Sequence, residues 1–140
     1  MNRDTDIARN KELIRAAARH ISDRNLPALF DLIHDEGSWS VPYRGDRFPF
    51  GGFRDKQALR AMLEGFLGLF EQFEFRLTTM TAEDDRVTVE AVSQGVTANG
   101  ARYENNYIVI FFIQDGKIHA AREYFDPFQV LAFVEQLPRT

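Results

Sequence analysis

The chain has 140 residues, 44% of them hydrophobic and 13% aromatic, with 13 Phe, a net charge of −4 and no cysteine. This length fits one domain over residues 1–140 with a sizeable core, and the lack of cysteine excludes disulfides, thiol chemistry and Cys-ligated metals. An acidic balance without a basic run argues against nucleic acid or an anionic membrane as partner. No apolar run approaches membrane-spanning length and no leader pattern opens the chain, so a soluble, cytoplasmic protein is expected.

Thr5 to Ser22 places Ile7, Leu13, Ile14, Ala17, Ala18 and Ile21 at helical spacing among charged residues, which predicts an amphipathic helix. Asn25 is placed to cap a second, short helix running to about His34, with Pro27 in its first turn. Glu36 to Pro42 alternates Trp39 and Val41 with Ser38 and Ser40, a short strand stopped by proline. Tyr43 to Phe53 reads as a loop. Arg54 to Phe70 has the clearest helical face, built by Leu59, Met62, Leu63, Phe66, Leu67 and Phe70. The period then becomes two: Phe75 to Thr81, Arg86 to Thr97, Arg102 to Ile113 and Ile118 to Phe125 read as strands. Glu83-Asp84-Asp85, Asn99-Gly100 and Asp115-Gly116 supply the turns. Asp126-Pro127-Phe128-Gln129 opens a last helix, with Asp126 as cap and Pro127 at the first helical position. Helices followed by a meander of strands predict an α+β fold, with the helices packed on one face of a curved antiparallel sheet.

The segments W-S-V-P, G-G-F-R-D-K-Q-A-L and Y-E-N-N-Y…D-G-K-I…R-E-Y-F-D-P resemble the SnoaL-like branch of the nuclear-transport-factor-2 superfamily over nearly the whole chain. The resemblance implies a cone: a strongly bent sheet wrapped by the N-terminal helices around a deep apolar pocket, often dimeric through the sheet. Relatives include ketosteroid isomerases, polyketide cyclases, limonene-epoxide hydrolases, dehydratases and catalytically inert binding domains, so fold alone decides little. Carried over by motif, the isomerase's general base and its two oxyanion-hole groups fall on Val41, Ala17 and Ile108. All three groups are missing, which argues against that mechanism. The two-Asp, one-Arg set of the epoxide hydrolases has no clear match either.

Counting from the Asp115-Gly116 turn puts Glu104, Asn106 and Ile108 on the pocket side of one strand and His119, Glu123 and Phe125 on that side of the next. Trp39 and Val41 would face the same space. Glu123 is the first candidate for chemistry, because a carboxyl in an apolar cavity has its pKa raised and can exchange protons near neutrality. The competing reading is an ion pair with Arg102 or Arg122. Asn106 would orient a carbonyl or water and Glu104 would be a second carboxylate; cross-strand hydrogen bonding is the alternative for both. Trp39, Tyr43, Ile108 and Phe125 are the expected substrate-contacting residues. His20, His34 and His119 lack metal-ligand spacing, and Gly51-Gly52 lacks the surroundings of a phosphate loop, so neither metal nor cofactor is expected.

The function expected is that of a SnoaL-like protein binding a small hydrophobic, carbonyl-bearing molecule. It would carry out cofactor-free acid/base chemistry of a cyclase, isomerase, dehydratase or hydrolase kind. The alternative is a binding module with no chemistry. A homodimer through the outer sheet face is also expected, on the ground that Tyr103, Tyr107, Val109, Phe111 and Ile113 would otherwise stand uncovered.

Overall fold

The computed structural model describes residues 3–138. In chain order the elements are α1 (Arg3–Asp23), α2 (Leu26–Asp31), β1 (Ile33–Val41), β2 (Gly52–Asp55), α3 (Lys56–Leu67), β3 (Phe70–Glu83), β4 (Arg86–Thr97), β5 (Arg102–Gln114), β6 (Lys117–Phe125) and α4 (Pro127–Glu135). The architecture is the expected α+β one, with a single six-stranded sheet of order β2-β1-β6-β5-β4-β3 that leaves β2 and β3 as edges. The helix expected over Arg54 to Phe70 ends at Leu67, and Phe70 opens β3 instead of closing the helical face; two further differences concern the sheet. β1 runs parallel to β6, so the sheet is mixed rather than antiparallel throughout. Residues Gly52 to Asp55, expected to lie in a loop and a helix start, instead pair with Ser38 to Val41 as an edge strand.

Local chemistry sets the element ends. Asn25 caps α2 by accepting from the Ala28 N–H, and Asp55 caps α3 by accepting from the Ala58 N–H at 2.8 Å. Asp126 caps α4, accepting from the Phe128 N–H at 2.9 Å with Pro127 next in the chain, as the sequence predicts. At the β5–β6 hairpin Asp115 and Gly116 both take positive φ, 54° and 73°, the geometry a two-residue turn needs to follow strand twist.

α1 lies across β3, held at its end by Ser22, whose hydroxyl donates to the Phe75 carbonyl and accepts from the Phe75 N–H. The main core sits between these helices and the inner sheet face, around Ile14, Leu29, Ile33, Leu59, Val89, Val109 and Ile118. A second cluster of Phe70, Ala101, Tyr103 and Phe133 holds α4 against β5. α4 is pinned at both ends. Asn105 receives the Asp126 N–H on its side-chain oxygen and donates to the Asp126 carbonyl. Gln136 accepts from the Arg102 N–H and donates to the Arg102 carbonyl.

One irregularity decides which side chains face inward. Gln114 pairs with Lys117 and Ile113 with Ile118, but Phe112 then pairs with Ala120, leaving His119 unmatched in a bulge. Beyond it every β6 side chain is displaced by one relative to β5, so Glu123 stands beside Val109 and Phe125 beside Tyr107. The inner set of β5 is therefore Tyr103, Asn105, Tyr107, Val109, Phe111 and Ile113, all buried. This corrects the expected dimer stripe, since those five apolar and aromatic residues are covered by their own chain.

Candidate functional site

A cavity of about 390 Å³ opens between the inner sheet face, α3 and α4. α3 contributes Met62, Leu63 and Phe66, which pack on the core clusters and also face this space, so they are only partly buried. α4 contributes Val130, Phe133 and Val134, and the loop before β2 contributes Phe48 and Phe50. A smaller chamber of about 70 Å³ continues inward, walled by Trp39, Leu59, Phe75, Val109 and Phe111. Glu123 and Tyr107 line both spaces, together with Met62, Leu63 and Phe66 of α3, and are the polar groups the two share. The volume and apolar walls with a few convergent polar groups suit a small-molecule pocket.

Glu123 comes from the inner face of β6. It is half-buried, the surface it keeps opens onto the cavity, and the groups around it are apolar apart from Trp39, Arg54 and the Tyr103 and Tyr107 phenols. Burial raises its carboxyl from 4.5 to about 7, against smaller lowering effects from the Trp39 indole N–H and the Arg54 charge. The expected alternative, an ion pair with Arg102 or Arg122, is not formed. Neither arginine nor Glu123 takes part in an ion pair among the described residues. Arg122 instead lies over the Phe112 ring on the outer face, 5.0 Å from its centre.

A buried polar chain stands opposite the carboxyl. Ser93 and Tyr107 are hydrogen-bonded at 2.8 Å, Tyr107 and Tyr103 at 3.0 Å, and the Asn105 amide donates to the Tyr103 oxygen at 2.8 Å. Burial pushes Tyr103 up to about 12 and Tyr107 well above 10, so both phenols remain protonated and serve as hydrogen-bond donors. Arg54 reaches the cavity from β2, aligned with Trp39 across the strand pair.

Of the residues singled out in the sequence, the structure brings Glu123, Trp39 and Phe125 together at this cavity, with Val41 beside them. Glu104, Asn106 and Ile108 are not there. They are exposed on the opposite face of β5, Ile108 at 46%, because the bulge at His119 moves the odd-numbered residues of β5 inward. His119 itself leaves the pocket side and meets the His34 ring edge-on at 5.2 Å. Tyr43 braces the end of β6 from behind the cavity: its hydroxyl donates to the Phe125 carbonyl and accepts from the Phe125 N–H. Burial raises its pKa, partly countered by that backbone bond. Sequence reasoning missed Tyr103 and Tyr107, which it placed on the outer face, and Arg54, which it read as the start of a helix. The apolar alternation from Tyr103 to Ile113 was the available signal for the first two; Arg54 carried none.

A family model described as a SnoaL-like domain matches residues 14–121. Among solved structures, Bal32a from a soil-derived mobile gene cassette superposes with a TM-score of 0.78 at 21% identity, covering 91% of this chain and 98% of that one. IdmH from Streptomyces antibioticus, described as a candidate polyketide cyclase, gives a TM-score of 0.74 at 17% identity over 90% and 98% of the two chains. An LEH-like epoxide hydrolase from M. tuberculosis gives 0.73 at 15% identity over 92% of each. No curated protein matches in sequence.

Proposed function

From the premise that this chain belongs to the SnoaL-like domain family, we propose that its cavity takes a hydrophobic, carbonyl-bearing small molecule and that Glu123 moves a proton on it without a cofactor. The observation that carries this reading is a lone carboxyl in an apolar cavity, held by burial at about 7. A general base works best when its pKa lies near the working pH, and Glu123 is then half ionised. Its carboxylate would take a proton from the carbon next to the substrate carbonyl. As that C–H bond breaks, its electron pair forms the C=C bond of an enolate and the carbonyl π pair moves to oxygen; when the carbonyl re-forms, the enolate takes the proton back from the Glu123 carboxylic acid at carbon.

The tyrosine chain suits the developing oxygen charge. Ser93 has Tyr107 as its one side-chain partner among the described residues, so a proton donated from Tyr107 to Ser93 would leave the serine's own O–H buried and unmet. With Ser93 donating to Tyr107, the Tyr103–Tyr107 bond runs in either direction, and in each case one of the two phenolic protons is left for an occupant of the cavity that both rings line. Such a donor stabilises an enolate more than its parent ketone.

Proton exchange with solvent deuterium, followed by NMR on a panel of cyclic ketones, tests the reading. Glu123→Gln is expected to lower exchange by about 10²- to 10⁴-fold. Substrates that bind the wild type without any exchange would instead make the chain a binding module. The homodimer belongs to the same proposal. Its support is now the outer face, where Ile108 and Tyr124, paired across β5 and β6, are 46% and 39% exposed, with Ile110 and Phe112 half-buried further along β5.

A further inference from the structure

Arg54 is unlike every other residue at the cavity. Of the residues that line it, only Arg54 and Glu123 carry ionisable charge outside the phenols, and the remaining walls are aliphatic or aromatic. The guanidinium makes one hydrogen bond among the described residues, from Nη2 to the Phe50 carbonyl at 2.9 Å, and joins no ion pair. A guanidinium has five N–H donors in a planar fork, so most of this one's hydrogen-bonding capacity is unused. It is also half-buried against the apolar walls, where a charge without a counter-ion is costly. Glu123 does not supply that counter-ion: the two are not within ion-pair distance, and the carboxyl stays protonated up to about 7. The phenols of Tyr103 and Tyr107 are neutral there as well. Below neutrality the guanidinium is thus the single charge facing the space.

We propose that Arg54 selects ligands that pair an apolar ring skeleton with one acidic oxygen group, a carboxylate or an equally acidic enol or phenol. The anion would sit on the Arg54 fork and the skeleton against α3 and α4. This deepens the proposed function and rests on it, since it requires that the cavity bind an apolar small molecule. It adds a constraint the carboxyl alone does not provide. A ligand anchored at Arg54 on β2 and lying in the cavity would extend past Glu123 on β6 and Tyr107 on β5, which line the same space. Arg54 is therefore a specificity and positioning residue rather than a catalytic one.

The test uses two ligands of one shape, 2-naphthoate and its neutral amide 2-naphthamide, titrated calorimetrically into the full chain at pH 6. The wild type is expected to bind naphthoate about tenfold or more tighter, the usual worth of one charge-assisted contact. In Arg54→Gln that preference is expected to vanish while the amide's affinity stays within about twofold; Arg54→Lys keeps part of it. Equal binding of both ligands by the wild type, or a preference that survives in Arg54→Gln, overturns the assignment and leaves the apolar cavity reading intact. If Arg54→Gln fails to fold, the wild type and Arg54→Lys still decide, through the preference itself and its weakening by added salt. A folded wild type that binds neither ligand overturns the cavity reading and this inference with it.

Discussion

Replacing Glu123 by Gln removes the cavity's carboxyl while keeping its shape and an oxygen that can accept from Trp39. The effect on stability follows from the environment of that one group. In the unfolded chain the carboxyl titrates near 4.5, and in the folded chain burial moves it to about 7. Between those values the folded state holds more protons than the unfolded one, so stability falls as pH rises through the window and levels off above it. At about 1.4 kcal/mol for each pH unit, ionising Glu123 costs the wild type roughly 3 kcal/mol by pH 8, most of it lost above pH 5. Gln does not titrate, so Glu123→Gln lacks this slope. Any fixed cost of burying the amide shifts its curve without tilting it. Urea denaturation of both proteins at half-unit steps from pH 5 to 8.5 is expected to give curves that diverge, with the variant gaining on the wild type as pH rises. Parallel curves would mean that Glu123 titrates like an exposed carboxyl, and the acid/base assignment would lose its foundation.

Tyr107→Phe is expected to cost about 1 to 3 kcal/mol by the same assay, because it leaves the buried Ser93 and Tyr103 hydroxyls without their shared partner; no loss would mean water already bridges them. Asp126→Ala is expected to lower stability by about 1 kcal/mol through loss of the α4 cap while leaving ketone exchange largely unchanged, and a stable but inactive variant would shift the chemistry from Glu123 to Asp126. Light scattering over a concentration series is expected to give twice the 16.1 kDa chain mass, and Ile108→Glu to halve it; a constant 16.1 kDa for the wild type would remove the dimer.

Most of the fold is legible wherever one local rule acts alone. The face of α3 from Leu59 to Leu67, the capping of α4 by Asp126 and the Asp115-Gly116 turn are each written within a few residues and form as read, whereas Phe70, read as the end of that face, belongs to β3. β2 was not legible, because Gly52 to Asp55 has no strand pattern of its own. Its extended form comes from pairing with Ser38 to Val41, a contact no neighbouring residue announces. The parallel placement of β1 beside β6 is likewise decided by tertiary packing and not by either strand's composition.

The site was half legible, and the missing half traces to one residue. Placing Glu123 in the cavity and counting alternation back through the hairpin sends Ile108, Asn106 and Glu104 inward. That count assumes an unbroken ladder from the turn. The extra residue at His119 breaks it, and since side chains alternate with period two, one unmatched residue exchanges the two faces of β5 relative to β6. Nothing in Lys117-Ile118-His119-Ala120-Ala121 marks a bulge. The composition of β5 held the other clue: Tyr103, Asn105, Tyr107, Val109, Phe111 and Ile113 form a more apolar set than Arg102, Glu104, Asn106, Ile108, Ile110 and Phe112. Taken as an uncovered stripe, the first set suggested a dimer face; taken as the core, it would have required a register shift in β6 to keep Glu123 on the same side. The two readings differ by a single residue of pairing, and burial decides between them, because the polar set on β5 has water and the apolar set has α3 and α4. The tyrosines that replace Asn106 and Glu104 opposite the carboxyl change the chemistry available there. A further carboxylate at Glu104 would have competed for the same proton, whereas two phenols held neutral by burial offer hydrogen bonds without taking that proton up, which under the proposed function leaves its transfer to Glu123.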